Sequence, residues 1–117
     1  MTAATSLLAL LLAAWQAAPT PAPASAPAGD VERGKKTFNR VGCAECHGGE
    51  GQGSPNSGPR LGPNPVPFAG FTAYVRAPKN QMPPYTAKLL SDAELADICA
   101  FLRARPRPIS IDATLQR

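Results

Sequence analysis

The chain has one histidine, three cysteines and two methionines, one of which is Met1. Aromatic residues make up only 6% of its 117 residues, and the one tryptophan, Trp15, lies near the amino terminus. No Asp, Glu, Lys or Arg occurs before Asp30. Each scarcity excludes something. Few aromatics on a short chain exclude a large enzyme fold with a wide, self-filled core, and the length leaves room for one domain. No dense Lys/Arg run exists and few rings are present to stack on bases, which excludes a nucleic-acid-binding reading. Long apolar stretches are also missing. The longest, Ala3 to Ala18, is interrupted by Thr5, Ser6 and Gln16. It falls short of the roughly 17–25 residues that span a bilayer.

The uncharged start marks a boundary. Leu7 to Ala14 reads as the apolar stretch of an export signal, with small residues following at Ala17 and Ala18, although no Lys or Arg precedes it. Residues 1–18 are read as a signal peptide, with an uncleaved N-terminal anchor as the alternative. Residues 19–28 form a Pro/Ala-rich linker, expected to be extended and solvated. The folded domain is placed at residues 29–108 and a short tail at 109–117. A domain of that size is marginal without a staple. A metal, a disulfide or a covalent cofactor is therefore expected.

Within the domain the pattern is helical. Asp30 is a cap for a helix over about Val31 to Arg40, with Glu32 at its positive end and Val31, Gly34 and Phe38 on one face. Gly48 to Pro67 is too rich in Gly, Pro, Asn and Ser for a helix or strand. A short helix fits Phe68 to Arg76, stopped by Pro78. The last helix is the best marked. Ser91 and Glu94 form a capping box, and Leu95, Ile98, Cys99 and Leu102 follow at i, i+3, i+4, i+7 spacing. Pro106 ends it. Cys99 on that apolar face reads as a small buried hydrophobe, with an intermolecular disulfide as the sharper alternative.

The chemistry is concentrated in Cys43-Ala44-Glu45-Cys46-His47, a C-x-x-C-H sequence and the attachment signal of c-type haem. Two cysteines one helical turn apart present both thiols to one edge of a porphyrin. The next residue then aims its imidazole at the iron. A zinc site needs four N or S ligands, and beyond this motif only Cys99 remains. A redox pair would sit in a βαβ context, which the sequence does not offer. Haem c, one per chain and covalent through Cys43 and Cys46, is the expected cofactor, with His47 as an iron ligand. Met82, in Asn80-Gln81-Met82-Pro83-Pro84-Tyr85, is the candidate for the other axial position, since His47 is the only histidine and Met82 the only methionine besides Met1, and His/Met ligation raises the reduction potential. The bland alternative is a gap-filling methionine.

These residues, in this order, resemble the small bacterial class I monohaem cytochromes c, over roughly Gly29 to Arg105. Gly34 and Phe38 match the first helix of that family. Gly58-Pro59-Arg60-Leu61 matches a Gly-Pro-x-Leu element, and Tyr74-Val75-Arg76 precedes the Met-Pro loop. The resemblance implies an all-α cytochrome c fold of three to four short helices wrapped around one covalent haem. It implies that Ile98 and Phe101 meet Gly34 and Phe38. It implies that the Pro59 carbonyl orients His47 and that Met82 is the distal ligand. Arg60, Arg76, Tyr74 and Tyr85 are unranked candidates for contacts to the haem propionates.

The functional expectation is a periplasmic one-electron carrier rather than an enzyme, and a monomer. It would pass electrons between respiratory or dehydrogenase partners. The formal net charge of +4 favours partners with acidic docking surfaces, with Lys35, Lys36, Arg60, Arg76, Lys79 and Lys88 as candidate steering charges. If Met82 is not bound, the open iron would make this a haem enzyme or a gas- or peroxide-reactive protein. A third reading shares the chemistry but fixes the partner: an electron-entry subunit of a dehydrogenase, or a tethered oxidase donor.

Overall fold

Asp30 starts the first helix as its composition demands. Its carboxylate accepts the Arg33 backbone N–H at 2.7 Å, and α1 then runs over Val31–Arg40. The architecture is that of a computed structural model, described for residues 27–109. The signal or anchor reading, most of the linker and nearly all of the tail lie outside the described residues. Three further helices follow: α2 at Cys43–His47, α3 at Phe68–Arg76 and α4 at Asp92–Arg103. Among the described residues there is no strand, only one isolated bridge between Ser54 and Gly58. The fold is all-α.

The capping box of α4 is complete. The Ser91 hydroxyl accepts the Glu94 N–H at 3.2 Å, and the Ser91 N–H donates to the Glu94 carboxylate at 2.8 Å. The apolar stripe it starts is buried. Leu95, Ile98, Cys99, Phe101 and Leu102 join Phe38, Phe71, Val75 and Leu90 in one core cluster. Cys99 is 0% exposed, as a small buried hydrophobe should be.

The first and last helices cross at Gly34. A Cβ built there would lie 2.0 Å from the Asp97 carbonyl oxygen and 2.9 Å from the Phe101 Cβ. Only glycine lets the two backbones meet. One turn on, the Phe38 and Phe101 rings pack with centroids 5.4 Å apart at a tilt of 50°. The expected Phe101 contact is therefore present, but the backbone beneath Gly34 is that of Asp97 rather than Ile98. Ile98 points into the shared core one residue further on.

Asp97 is the one buried acid among the described residues. A buried carboxylate is costly unless paired and hydrogen-bonded. Arg33 pairs with it in a fork, Nε to Oδ2 at 2.9 Å and Nη2 to Oδ1 at 3.0 Å, and the Asp30 N–H donates to Oδ1 at 2.7 Å. The carboxylate of α4 thus fastens the start of α1.

Two expectations test this crossing. Gly34→Ala should lower the unfolding free energy of the holoprotein by about 2–3 kcal/mol, as overpacking against backbone does. Gly70→Ala, on α3 with no atom within 4 Å of the added Cβ, should raise it by about 0.5–1 kcal/mol. Denaturant unfolding measures both, and equal effects would contradict the close crossing. The second concerns pH. The hydrogen bond from Arg33 holds the Asp97 carboxyl below the usual carboxylate range. A depressed carboxyl contributes fully above its unfolded value of about 4 and loses that contribution as pH falls through the lower folded value. Stability should therefore decline with acid below about pH 4, and Asp97→Asn should flatten that decline while lowering stability at neutral pH. An unchanged acid profile in the variant would contradict the pairing.

Candidate haem site

The helix that carries the motif is short and bracketed by glycines. Gly42 precedes α2 with φ +84° and Gly48 follows it with φ +79°. Cys43 and Cys46 are free thiols one turn apart, the first half-buried and the second exposed. Burial pushes the Cys43 thiol up to about 11, so before any bond forms it is held as a thiol at neutral pH. His47 ends the helix and is buried.

The His47 ring has a defined tautomer. Its Nδ1 lies 2.8 Å from the Pro59 carbonyl oxygen. A carbonyl only accepts, so Nδ1 carries the hydrogen and donates. In the neutral ring Nε2 is then the nitrogen that carries the lone pair. It makes no hydrogen bond among the described residues, and it is not among their sealed, unpartnered polar atoms. An imidazole fixed through Nδ1–H with Nε2 available is the arrangement of a metal-ligating histidine.

The loop after α2 is folded back onto it. The Gly53 N–H donates to the His47 carbonyl at 2.7 Å, and the Ser57 hydroxyl donates to the Cys46 carbonyl at 2.8 Å. Gly58 lies so close that an added Cβ would meet the Cys46 carbonyl oxygen at 2.8 Å and His47 Nδ1 at 3.0 Å. Glycine at this position lets the Pro59 carbonyl reach the ring. The same loop is clamped from outside. Glu50 pairs with Lys35 of α1 at 2.9 Å and with Arg105, whose guanidinium sits 4.3 Å from the Phe101 ring centroid. Lys35, expected among the steering charges, is thus occupied in holding the loop.

Met82 lies on the segment between α3 and α4. It is half-buried and packs against the core cluster, as do Cys43 and Tyr85. The four propionate candidates divide into two pairs. Arg76 donates through Nη1 to the Tyr85 carbonyl at 2.9 Å and through Nη2 to Asp92 at 2.6 Å. The Tyr85 hydroxyl donates to the Val41 carbonyl at 2.8 Å, and burial raises its phenol above the ordinary value. Both side chains therefore bond to acceptors of the chain itself. Tyr74 and Arg60 are exposed. The Tyr74 hydroxyl makes only a long 3.4 Å contact to the Lys79 carbonyl, and no ion pair involves Arg60 among the described residues.

Ser57, Glu50 and the Tyr85–Val41 bond carry no signal in sequence spacing. Gly58 had one, as the first residue of the Gly-Pro-x-Leu element. Among the described residues no three of His, Cys, Asp and Glu come together as a metal site, and no helix is long and apolar enough to cross a membrane. Two thiols one helical turn apart and an imidazole held through Nδ1 are a donor set that fits a covalently attached haem. Gly58 clears the approach to that imidazole.

The scaffold and donor set define a c-type haem domain. Residues 29–102 match the family model described as cytochrome c oxidase, cbb3-type, subunit III, and the chain belongs to this family. No curated protein and no solved structure is significantly similar to it. Family membership carries the cofactor, a covalent c-type haem, and with it haem-based electron transfer.

Thiol counting checks the attachment. Burial pushes the Cys99 thiol up to about 11 and leaves it 0% exposed. The native holoprotein should give no fast-reacting thiol, and the denatured holoprotein one. A second thiol after denaturation would mean that only one of Cys43 and Cys46 is bonded.

Proposed function

We propose that the protein is an exported one-electron carrier. Its single haem is bound through thioethers at Cys43 and Cys46, with His47 and Met82 as axial ligands. The observation that carries this reading is the fixed His47 tautomer, with Nδ1–H on the Pro59 carbonyl and Nε2 free. The haem supplies a reversible one-electron change at its iron. His47 orients and donates to that iron, and its hydrogen bond to Pro59 raises its basicity. Met82 would hold the iron through its thioether, and a haem so held would leave no position for a substrate. The segment that holds Met82 is tied to α3 by the Tyr85 N–H donating to the Val75 carbonyl at 3.0 Å.

Charge distribution supports acidic redox partners. From Gly51 to Ser91 there is no Asp or Glu, but Arg60, Arg76, Lys79 and Lys88 are present. Arg76 is offset by Asp92. Arg60, Lys79 and Lys88 flank the segments that bear Pro59 and Met82. Attraction from such charges speeds encounter with an acidic surface and weakens with salt. The family description names an oxidase subunit, which favours a respiratory partner over a free-standing enzyme. The apolar stretch at Leu7–Ala14 supports export to the periplasm, with a membrane tether if it stays uncleaved.

The oxidised visible and near-infrared spectrum of the holoprotein tests the ligation. A low-spin spectrum with a weak methionine-to-ferric-iron band is expected. Met82→Ala should abolish that band and lower the reduction potential by on the order of 100 mV. A high-spin spectrum in the unaltered protein would overturn the closed-site reading and favour chemistry at an open iron.

A further inference from the structure

Met82 is followed by Pro83 and Pro84, neither of which has a backbone N–H. The first N–H after Met82 that can fasten the segment is that of Tyr85. It donates to the Val75 carbonyl in α3 at 3.0 Å. The Tyr85 carbonyl accepts from Arg76 Nη1 at 2.9 Å, and its hydroxyl donates to the Val41 carbonyl at 2.8 Å. All three polar groups of one residue are therefore committed, each to a different partner. Arg76 reaches on to Asp92, the first residue of α4, at 2.6 Å.

The hydroxyl bond has a particular destination. Val41 is the C-cap of α1 and stands two residues before Cys43. The bond therefore joins the segment that bears the distal sulfur directly to the lead-in of the helix that bears the two thioether cysteines and His47. The residues between Met82 and Tyr85 are two prolines with restricted φ, so little slack separates the anchor from the sulfur. Tyr74, on the upstream side, offers only the long contact to Lys79. The downstream anchor is the stronger of the two.

We propose that Tyr85, braced by Arg76, is the positioning residue that keeps Met82 on the iron, by tying the distal segment to the start of the haem-attachment helix. This rests on Met82 being the distal ligand. Loosening the tie lets the Met82 sulfur leave and an external nitrogen ligand take its place. That exchange is a ligand swap at ferric iron with no electron transferred.

The test is imidazole binding to the ferric holoprotein, followed by loss of the methionine-to-iron band. Tyr85→Phe keeps the ring in the core and removes only the bond to Val41. It should bind imidazole about tenfold more tightly than the unaltered protein, as loss of one partly buried hydrogen bond implies. Arg76→Lys keeps a cation beside Asp92 but loses the second donor to the Tyr85 carbonyl, and should shift binding in the same direction. Arg33→Lys removes the fork to Asp97 at 2.9 and 3.0 Å, whose residues make none of this segment's hydrogen bonds. It should bind imidazole as the unaltered protein does, which separates positioning from general loss of stability. Unaltered imidazole affinity in both Tyr85→Phe and Arg76→Lys, with the band present, would overturn the inference and leave the His/Met reading intact. Absence of the band in the unaltered protein would overturn both.

Discussion

Where α1 crosses α4, the Gly34 backbone lies directly on the Asp97 carbonyl, with no side chain between them. The Arg33 fork and the Asp30 N–H converge on the Asp97 carboxylate on one side of this contact. The Phe38 and Phe101 rings close it on the other. Two amphipathic helices of ten and twelve residues would be marginal alone. Crossing at backbone distance, they form the fixed frame from which the haem-binding segments extend. Val41 and Gly42 leave the end of α1, and the haem motif follows at once. The start of α4 is reached through Asp92, which Arg76 holds from the Met82 side.

The segments bearing His47 and Met82 are then tied to that frame by different means. On the His47 side the loop after α2 wraps back, and its hold is mostly backbone: Gly53 N–H on the His47 carbonyl and the Pro59 carbonyl on the imidazole. Glu50 fastens this loop to α1 through Lys35 and to the segment just after α4 through Arg105. On the Met82 side the hold is made by side chains, chiefly those of Tyr85 and Arg76. In the proposed His47/Met82 arrangement, ligands held in this way would not need to move when the iron changes charge, which suits rapid electron transfer. The haem also explains how so small and aromatic-poor a chain folds. Its apolar macrocycle adds the buried surface that the side chains do not supply.

Much of this was readable from local spacing. The Asp30 cap, the Ser91–Glu94 box, the stripe on α4 and the C-x-x-C-H motif each depend on residues within a turn or two of one another. Their bounds in the structure match what the spacing implied. Long-range destinations were not readable. Arg60, Arg76, Tyr74 and Tyr85 were unranked as propionate contacts, and spacing could not show that Arg76 reaches the Tyr85 carbonyl and Asp92 or that the Tyr85 hydroxyl reaches the Val41 carbonyl. Asp97 sits inside an apolar stripe, where a charge normally argues against burial. Its partner Arg33 is far away in sequence and on the opposite helix, so no periodicity could pair them. Ser57 is likewise a loop serine whose acceptor, the Cys46 carbonyl, exists only once the loop has folded back.

The central claim is that the chain itself fills both axial positions and leaves the iron to exchange electrons only. Adding carbon monoxide to the reduced holoprotein measures this most directly, because that ligand binds ferrous haem wherever a position is open. The account predicts a visible spectrum that carbon monoxide leaves unchanged. Rapid formation of a carbon monoxide adduct in the unaltered protein would contradict it.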